Sequence, residues 1–191
     1  YFGFSSEWTW NIPVPLTYYL YYATADRPSD YSEYIKMVKD PYSESLLNYI
    51  VEEINRVAYE NSFMEKEKVE FTIVFIQSLP YVPDKVSASA DEYPKYPAET
   101  LITNGGDCED TSILAAALLR KMGYRVALLF LSYATPHGAH VAVGVAGPFS
   151  GSYYEVGGVK YFYLETTGEG WEIERIPPDI TDTRAYVYPV D

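Results

Sequence analysis

Gly105-Gly106-Asp107-Cys108-Glu109-Asp110-Thr111-Ser112-Ile113-Leu114-Ala115-Ala116-Ala117-Leu118-Leu119 is the stretch whose reading decides the fold. Two glycines end a loop. Asp107 then stands where a helix N-cap belongs, with Asp110 at the third helical position. Gly123 fits the left-handed stop after Met122. Between them the helix over 108–122 is apolar nearly all round, which predicts a central, buried helix. Its first residue is the single cysteine of the chain, so no intramolecular disulfide exists.

After this helix the pattern changes. Residues 125–132, 140–146 and 160–166 alternate or run apolar and are expected as strands, with 171–175 as a shorter one. Before it, Asp40-Pro41 starts a helix carried by Leu46, Leu47, Ile50, Ile54, Val57 and Ala58. Ser62 with Glu65 predicts a capping box for a further helix through 70–76. Residues 8–23, broken by Pro13 and Pro15 and rich in tyrosine, read as strand or extended chain. From Pro80 to Gly106 the prolines and glycines predict a long irregular connection that forms a wall of a site. Helices first and neighbouring strands afterwards give an α+β fold with an antiparallel sheet. The whole of 1–191 is expected as one domain: an N-terminal strand-and-helix extension over 1–69, a core over 70–175 and a tail over 176–191.

Of the 191 residues, 48% are hydrophobic and 21% charged, which suits a chain with a real core. Lys and Arg number 14 against 27 Asp and Glu, a net charge of −13. That balance argues against nucleic acid and against docking on anionic lipid. No apolar run approaches the roughly 20 residues needed to span a bilayer. The chain opens at Tyr1 and shows no secretory signal; a signal or anchor ahead of it would place the domain outside the cytoplasm, and otherwise a cytoplasmic location is expected.

A thiol at a helix start meets partial positive charge and free N–H groups, which favour a thiolate and can hold an oxyanion. Asp107, Glu109 and Asp110 push the other way, since nearby negative charge disfavours the thiolate. A cationic partner is therefore needed, and an imidazolium is the natural one. His137 lies in a turn-like connection. His140 opens a strand in which Val141, Val143 and Val145 share one face, and His140, Ala142 and Gly144 the other. The small residues beside His140 predict room there for the thiol-bearing helix end. Glu165 ends its strand where His140 begins its own, so the two can meet across antiparallel neighbours and the carboxylate can orient the ring.

Tyr96-Pro97-Ala98-Glu99-Thr100-Leu101 with Gly105-Gly106-Asp107-Cys108-Glu109-Asp110-Thr111 resembles the nucleophile segment of the transglutaminase-like superfamily. His140-Val141-Ala142-Val143 resembles its histidine strand, and Tyr163-Leu164-Glu165-Thr166-Thr167 its acidic strand, with Glu where Asp is usual. The resemblance covers residues 70–175. It implies a papain-like core with Cys108 as nucleophile, His140 as general base and acid, and Glu165 as orienting carboxylate. It also implies a polar oxyanion donor ahead of the cysteine, for which Gln77 is the candidate. The expected activity is acyl transfer on peptide or isopeptide bonds, hydrolysis first, with a protein or peptide as substrate. Crosslinking of protein glutamine and a non-catalytic scaffold are the alternatives. The chemistry requires no cofactor, and no metal-binding pattern is read; Asp179 and Asp182 are an acidic pair without a recognised calcium loop.

Overall fold

The computed structural model describes residues 7–84, 93–135 and 138–190. Helices α1 (Leu16–Tyr22), α2 (Tyr34–Val38), α3 (Glu44–Glu60), α4 (Glu65–Gln77) and α5 (Pro97–Ile102) precede the central helix α6 (Cys108–Lys121). Five strands follow: β1 (Val126–Thr135), β2 (Gly138–Val145), β3 (Tyr153–Val156), β4 (Val159–Leu164) and β5 (Tyr186–Val190). They form one sheet in the order β3-β4-β2-β1-β5, with every neighbouring pair antiparallel. The α+β architecture with an antiparallel sheet is as the sequence predicts.

Helix α6 packs against α2, α3, α4 and α5 on one side and against β1 and β2 on the other. This explains its apolar circumference: Ile113 through Leu119 are all buried. The central strand β1 is buried on both faces, which accounts for its unbroken apolar run. Val126, Leu128 and Phe130 join Val141, Val143, Val145, Phe162 and Leu164 in the main core with α6. Ala127, Leu129, Leu131, Ala142, Tyr161 and Tyr163 form a smaller core under Ile180 on the opposite face.

That division corrects one expectation. Helix α6 lies on the valine face of β2, with Ala142 on the opposite face, although its first residue, Cys108, shares a cavity with His140. The small residues make room for a neighbouring strand instead: a Cβ at Gly144 would stand 2.7 Å from the Cβ of Tyr161.

Other expectations also need correction. Residues 16–22 are helical, and no strand occurs among the described residues of 7–69. Pro15 precedes the first turn of α1, and only Tyr22 is buried, its hydroxyl bonded to Asp40 and Ser43. The irregular connection contains α5, whose start has the two signals that mark helix N-termini: Pro97 at the first turn and Glu99, which accepts from the Tyr96 N–H at 3.3 Å. The α4 helix forms as predicted, but its cap sits two residues later; Glu67 accepts from the Met64 N–H at 2.7 Å. Residues 171–175 are not a strand. Their backbone meets β4 through the Glu174 N–H and Tyr163 carbonyl (2.7 Å), and Glu174 adopts a φ of 78°, which ends any extended run. The expected tail contributes β5, an edge strand in which Pro189 is tolerated because only one side pairs. His137 lies outside the described residues.

Candidate active site

Cys108 opens α6. Asp107 caps the helix, accepting from the Asp110 backbone, and the Asp110 carboxylate returns a bond to the Asp107 N–H at 3.3 Å. The half-buried Cys108 thiol donates to Glu109 Oε2 at 3.1 Å. Burial pushes this thiol well above its ordinary value, and the Glu109 and Asp107 charges push the same way; a backbone hydrogen bond from Val141 opposes them. The acidic neighbours thus act as their positions in the sequence suggest.

His140 and Glu165 meet across β2 and the end of β4. Ring nitrogen Nε2 lies 3.0 Å and 3.2 Å from the two carboxylate oxygens. Glu165 is 1% exposed and accepts four further hydrogen bonds: from the Tyr163 hydroxyl (2.7 Å), the Thr166 N–H (3.0 Å), the Thr167 N–H (2.9 Å) and the Thr167 hydroxyl (2.6 Å). Burial alone would raise its pKa, but the bonds from His140, Thr167 and Tyr163 outweigh it and hold the carboxyl below its ordinary value. An ionised carboxylate on Nε2 fixes the ring and leaves Nδ1 as the nitrogen available for proton exchange.

Cys108 and His140 line one cavity of about 380 Å³, with Asp107, Glu109 and Tyr81 in its wall. His140 and Tyr81 also line a second hollow of about 330 Å³, shared with Glu165, Trp171 and Asp179. The imidazole therefore stands between the two. Among the described residues no hydrogen bond joins the thiol to the ring. A larger cavity of about 710 Å³, between the N-terminal segment and α4, shares no lining residue with either.

Gln77 is not brought to the thiol cavity. Its Nε2 donates to the carbonyls of Glu165 and Trp171, both at 3.0 Å, and its Oε1 accepts from the Gly170 N–H at 3.1 Å. With both ends of the amide engaged, Gln77 holds the segment that carries Glu165 against the end of α4. Asp179 and Asp182 do not form a cation site either, since Arg184 takes the Asp182 carboxylate and holds it down at about 2.

Sequence reasoning missed the polar clamp that sets the distance between the helix and the sheet. Thr166 Oγ1 lies 3.0 Å from the hydroxyls of both Thr111 and Ser112, and Ser112 donates to the Val141 carbonyl at 3.1 Å. The helix start, the β2 start and the segment after β4 are thereby locked together. The available signal was a Thr-Ser pair inside an otherwise apolar helix, where buried hydroxyls require partners. Also missed was Lys95. It is 2% exposed and bound to Asp110 through both its ammonium and its backbone N–H, the latter at 2.7 Å. Burial pushes Lys95 down; Asp110 and Asp84 outweigh it and keep the group charged.

Among solved structures, the chain resembles calcium-bound LapG of Legionella pneumophila at 19% identity, covering 72% of this chain and 86% of that one, with a TM-score of 0.46. EGTA-treated LapG gives 19% identity, 72% and 84% coverage and a TM-score of 0.45. A proposed cysteine protease of Cytophaga hutchinsonii gives 17%, 61%, 37% and 0.39. All three are distant likenesses. No curated protein sequence matches the chain. A family model, the transglutaminase-like domain, matches residues 31–156, so the match takes in α2 and α3 ahead of residue 70 and stops short of Glu165. That span is well over half of the sequence, and the chain belongs to the transglutaminase-like domain family.

Proposed function

We propose that this domain is a thiol-dependent hydrolase of peptide or isopeptide amide bonds, with Cys108 as nucleophile, His140 as base and acid, and Glu165 as the group that orients the ring. The observation that carries this reading is that Cys108 and His140 share one cavity while the ring is fixed from behind by a buried, ionised carboxylate.

His140 Nδ1 takes the thiol proton, and the thiolate attacks the amide carbonyl carbon. The backbone N–H groups at the start of α6 receive the developing oxyanion. His140 then protonates the departing amine, which leaves a thioester on Cys108. Water attacks that thioester with His140 as base, and the carboxylic acid departs. In the resting geometry the thiol proton is directed toward Glu109 rather than the ring; such bonds tighten once substrate fills the site. Gln77 is a positioning residue in this scheme, acting through the Glu165 carbonyl.

Incubation with a peptide library, with and without a primary amine, followed by mass spectrometry tests the reading. New carboxyl termini or deamidated side chains are expected under both conditions. Amine incorporation in place of these products would instead mark a crosslinking enzyme. No change in any peptide would leave the domain a scaffold and overturn the proposal.

A further inference from the structure

We propose that the hollow beside the His140 ring, walled by Tyr81, Trp171, Pro177 and Ile180 and edged by Asp179, receives a basic side chain of the substrate, Lys or Arg, on the leaving-amine side of the scissile bond. The direction of the substrate rests on the acyl-transfer reading above; the shape and charge of the hollow do not.

Two hollows meet at the ring, and among the described residues only His140 and Tyr81 line both. The hollow of about 380 Å³ also contains Cys108, so the carbonyl carbon under attack belongs there. The amine nitrogen must reach His140 to be protonated. The chain beyond that nitrogen leaves past the ring. It enters the hollow of about 330 Å³, which contains the ring but not the sulfur. Tyr81 stands at this crossing on a fixed backbone: the Val82 N–H donates to the Gly106 carbonyl at 2.9 Å, and the Gly106 N–H to the Pro80 carbonyl at 3.2 Å.

The facing wall is held as firmly. Gln77 Nε2 donates to the carbonyls of both Glu165 and Trp171, at 3.0 Å each, so one amide positions the ring-orienting carboxylate and the indole wall together. Ile180 is anchored in the smaller core. Aromatic and apolar walls accept the methylene stem of Lys or Arg, and an indole face attracts the charged head. Trp171 already shows that attraction, with the Arg175 guanidinium 5.7 Å from its ring.

Charge decides between a basic and a neutral occupant. The described lining holds two carboxylates and neither Lys nor Arg. Glu165 is taken up by His140, Tyr163, Thr166 and Thr167. Asp179 is exposed and has no ion pair or hydrogen bond among the described residues. A lone carboxylate at the rim of an apolar hollow, in a chain of net charge −13, attracts a cationic side chain and repels an acidic one.

Two measurements test this, and only the first needs turnover. In a peptide-library digest, Lys and Arg are expected immediately after the cleaved bond at least about fivefold above their frequency in the library, the gain of one exposed ion pair and one cation–π contact. Asp179→Asn is expected to lose the enrichment, and Asp182→Asn, an acid outside the hollow, to keep it. In the second, the Cys108→Ala chain is titrated with Nα-acetyl-lysine methylamide and with its norleucine counterpart. The indole N–H resonances of Trp8, Trp10 and Trp171 are followed by NMR. The Trp171 signal is expected to shift saturably with the lysine ligand and at least about fivefold more weakly with norleucine. Adding Asp179→Asn is expected to remove that difference. Cleavage without a basic preference, or a Trp171 signal that ignores the lysine ligand or answers both ligands alike, would overturn the inference and leave the hydrolase reading in place. A saturable, lysine-selective Trp171 shift without any cleavage would support the hollow for basic side chains while overturning the hydrolase reading.

Discussion

A His140→Ala chain is expected to keep its fold and to lose turnover by about 10⁴-fold, as Cys108→Ala does. The ring is 13% exposed at the mouth of two hollows, so its removal opens no sealed cavity in the core. Glu165 retains the Tyr163 hydroxyl, two backbone N–H groups and the Thr167 hydroxyl as partners. Its charge therefore stays satisfied. The thiol, by contrast, loses its only proposed base, while burial and the Glu109 and Asp107 charges continue to oppose ionisation. The Glu109 charge raises the thiol's pKa and so disfavours the thiolate. Turnover is followed by peptide release from the library substrates, and folding by circular dichroism. A His140→Ala chain that turned over within tenfold of the parent would remove His140 from the mechanism.

Asp110→Ala is expected to destabilise the fold by about 3–5 kcal/mol, the cost of leaving a buried charge without its partner. Asp110 is 0% exposed and Lys95 2%. Truncation would strand the ammonium, with only Asp84 at 3.8 Å, and would leave the Lys95 N–H unpaired. The Asp107 N–H would lose its cap bond as well. Adding Lys95→Met to Asp110→Ala should recover part of the loss, because a neutral, flexible side chain leaves no buried charge behind. Urea unfolding of the two single variants and the double variant measures both effects. A cost below 1 kcal/mol for Asp110→Ala would mean that water reaches the pair.

Much of the fold was legible because its central elements are ruled by local signals. Asp107, Asp110 and Gly123 bound α6 in the sequence as they do in the structure. The apolar runs of β1, β2 and β4 marked those strands. Elements of weak or mixed signal were not legible. The tyrosines of α1 suit strand and helix alike, and the prolines of the 80–106 connection hid the helix that Pro97 begins. Pro189 disguised β5, and 171–175 alternates like a strand although Glu174 turns the chain.

In the candidate site, the pairing of His140 with Glu165 followed from two strand ends, which antiparallel neighbours must bring together. The face on which α6 packs did not follow, because small residues beside His140 serve a neighbouring strand as well as they would a helix. Gln77 looked suited to an oxyanion because its position before the cysteine says nothing of where its amide points. Lys95 and Asp84 reach the start of α6 only through a long connection, and no spacing rule relates them to Asp107.

The central claim is that Cys108 becomes acylated with the help of His140. Intact-mass spectrometry of the chain, acid-quenched during turnover of the peptide library, tests it most directly. The prediction is an acyl adduct that maps to Cys108 in the parent and is missing from the His140→Ala and Cys108→Ala chains. Turnover without any adduct on Cys108, or an adduct that forms equally fast without His140, would contradict the account.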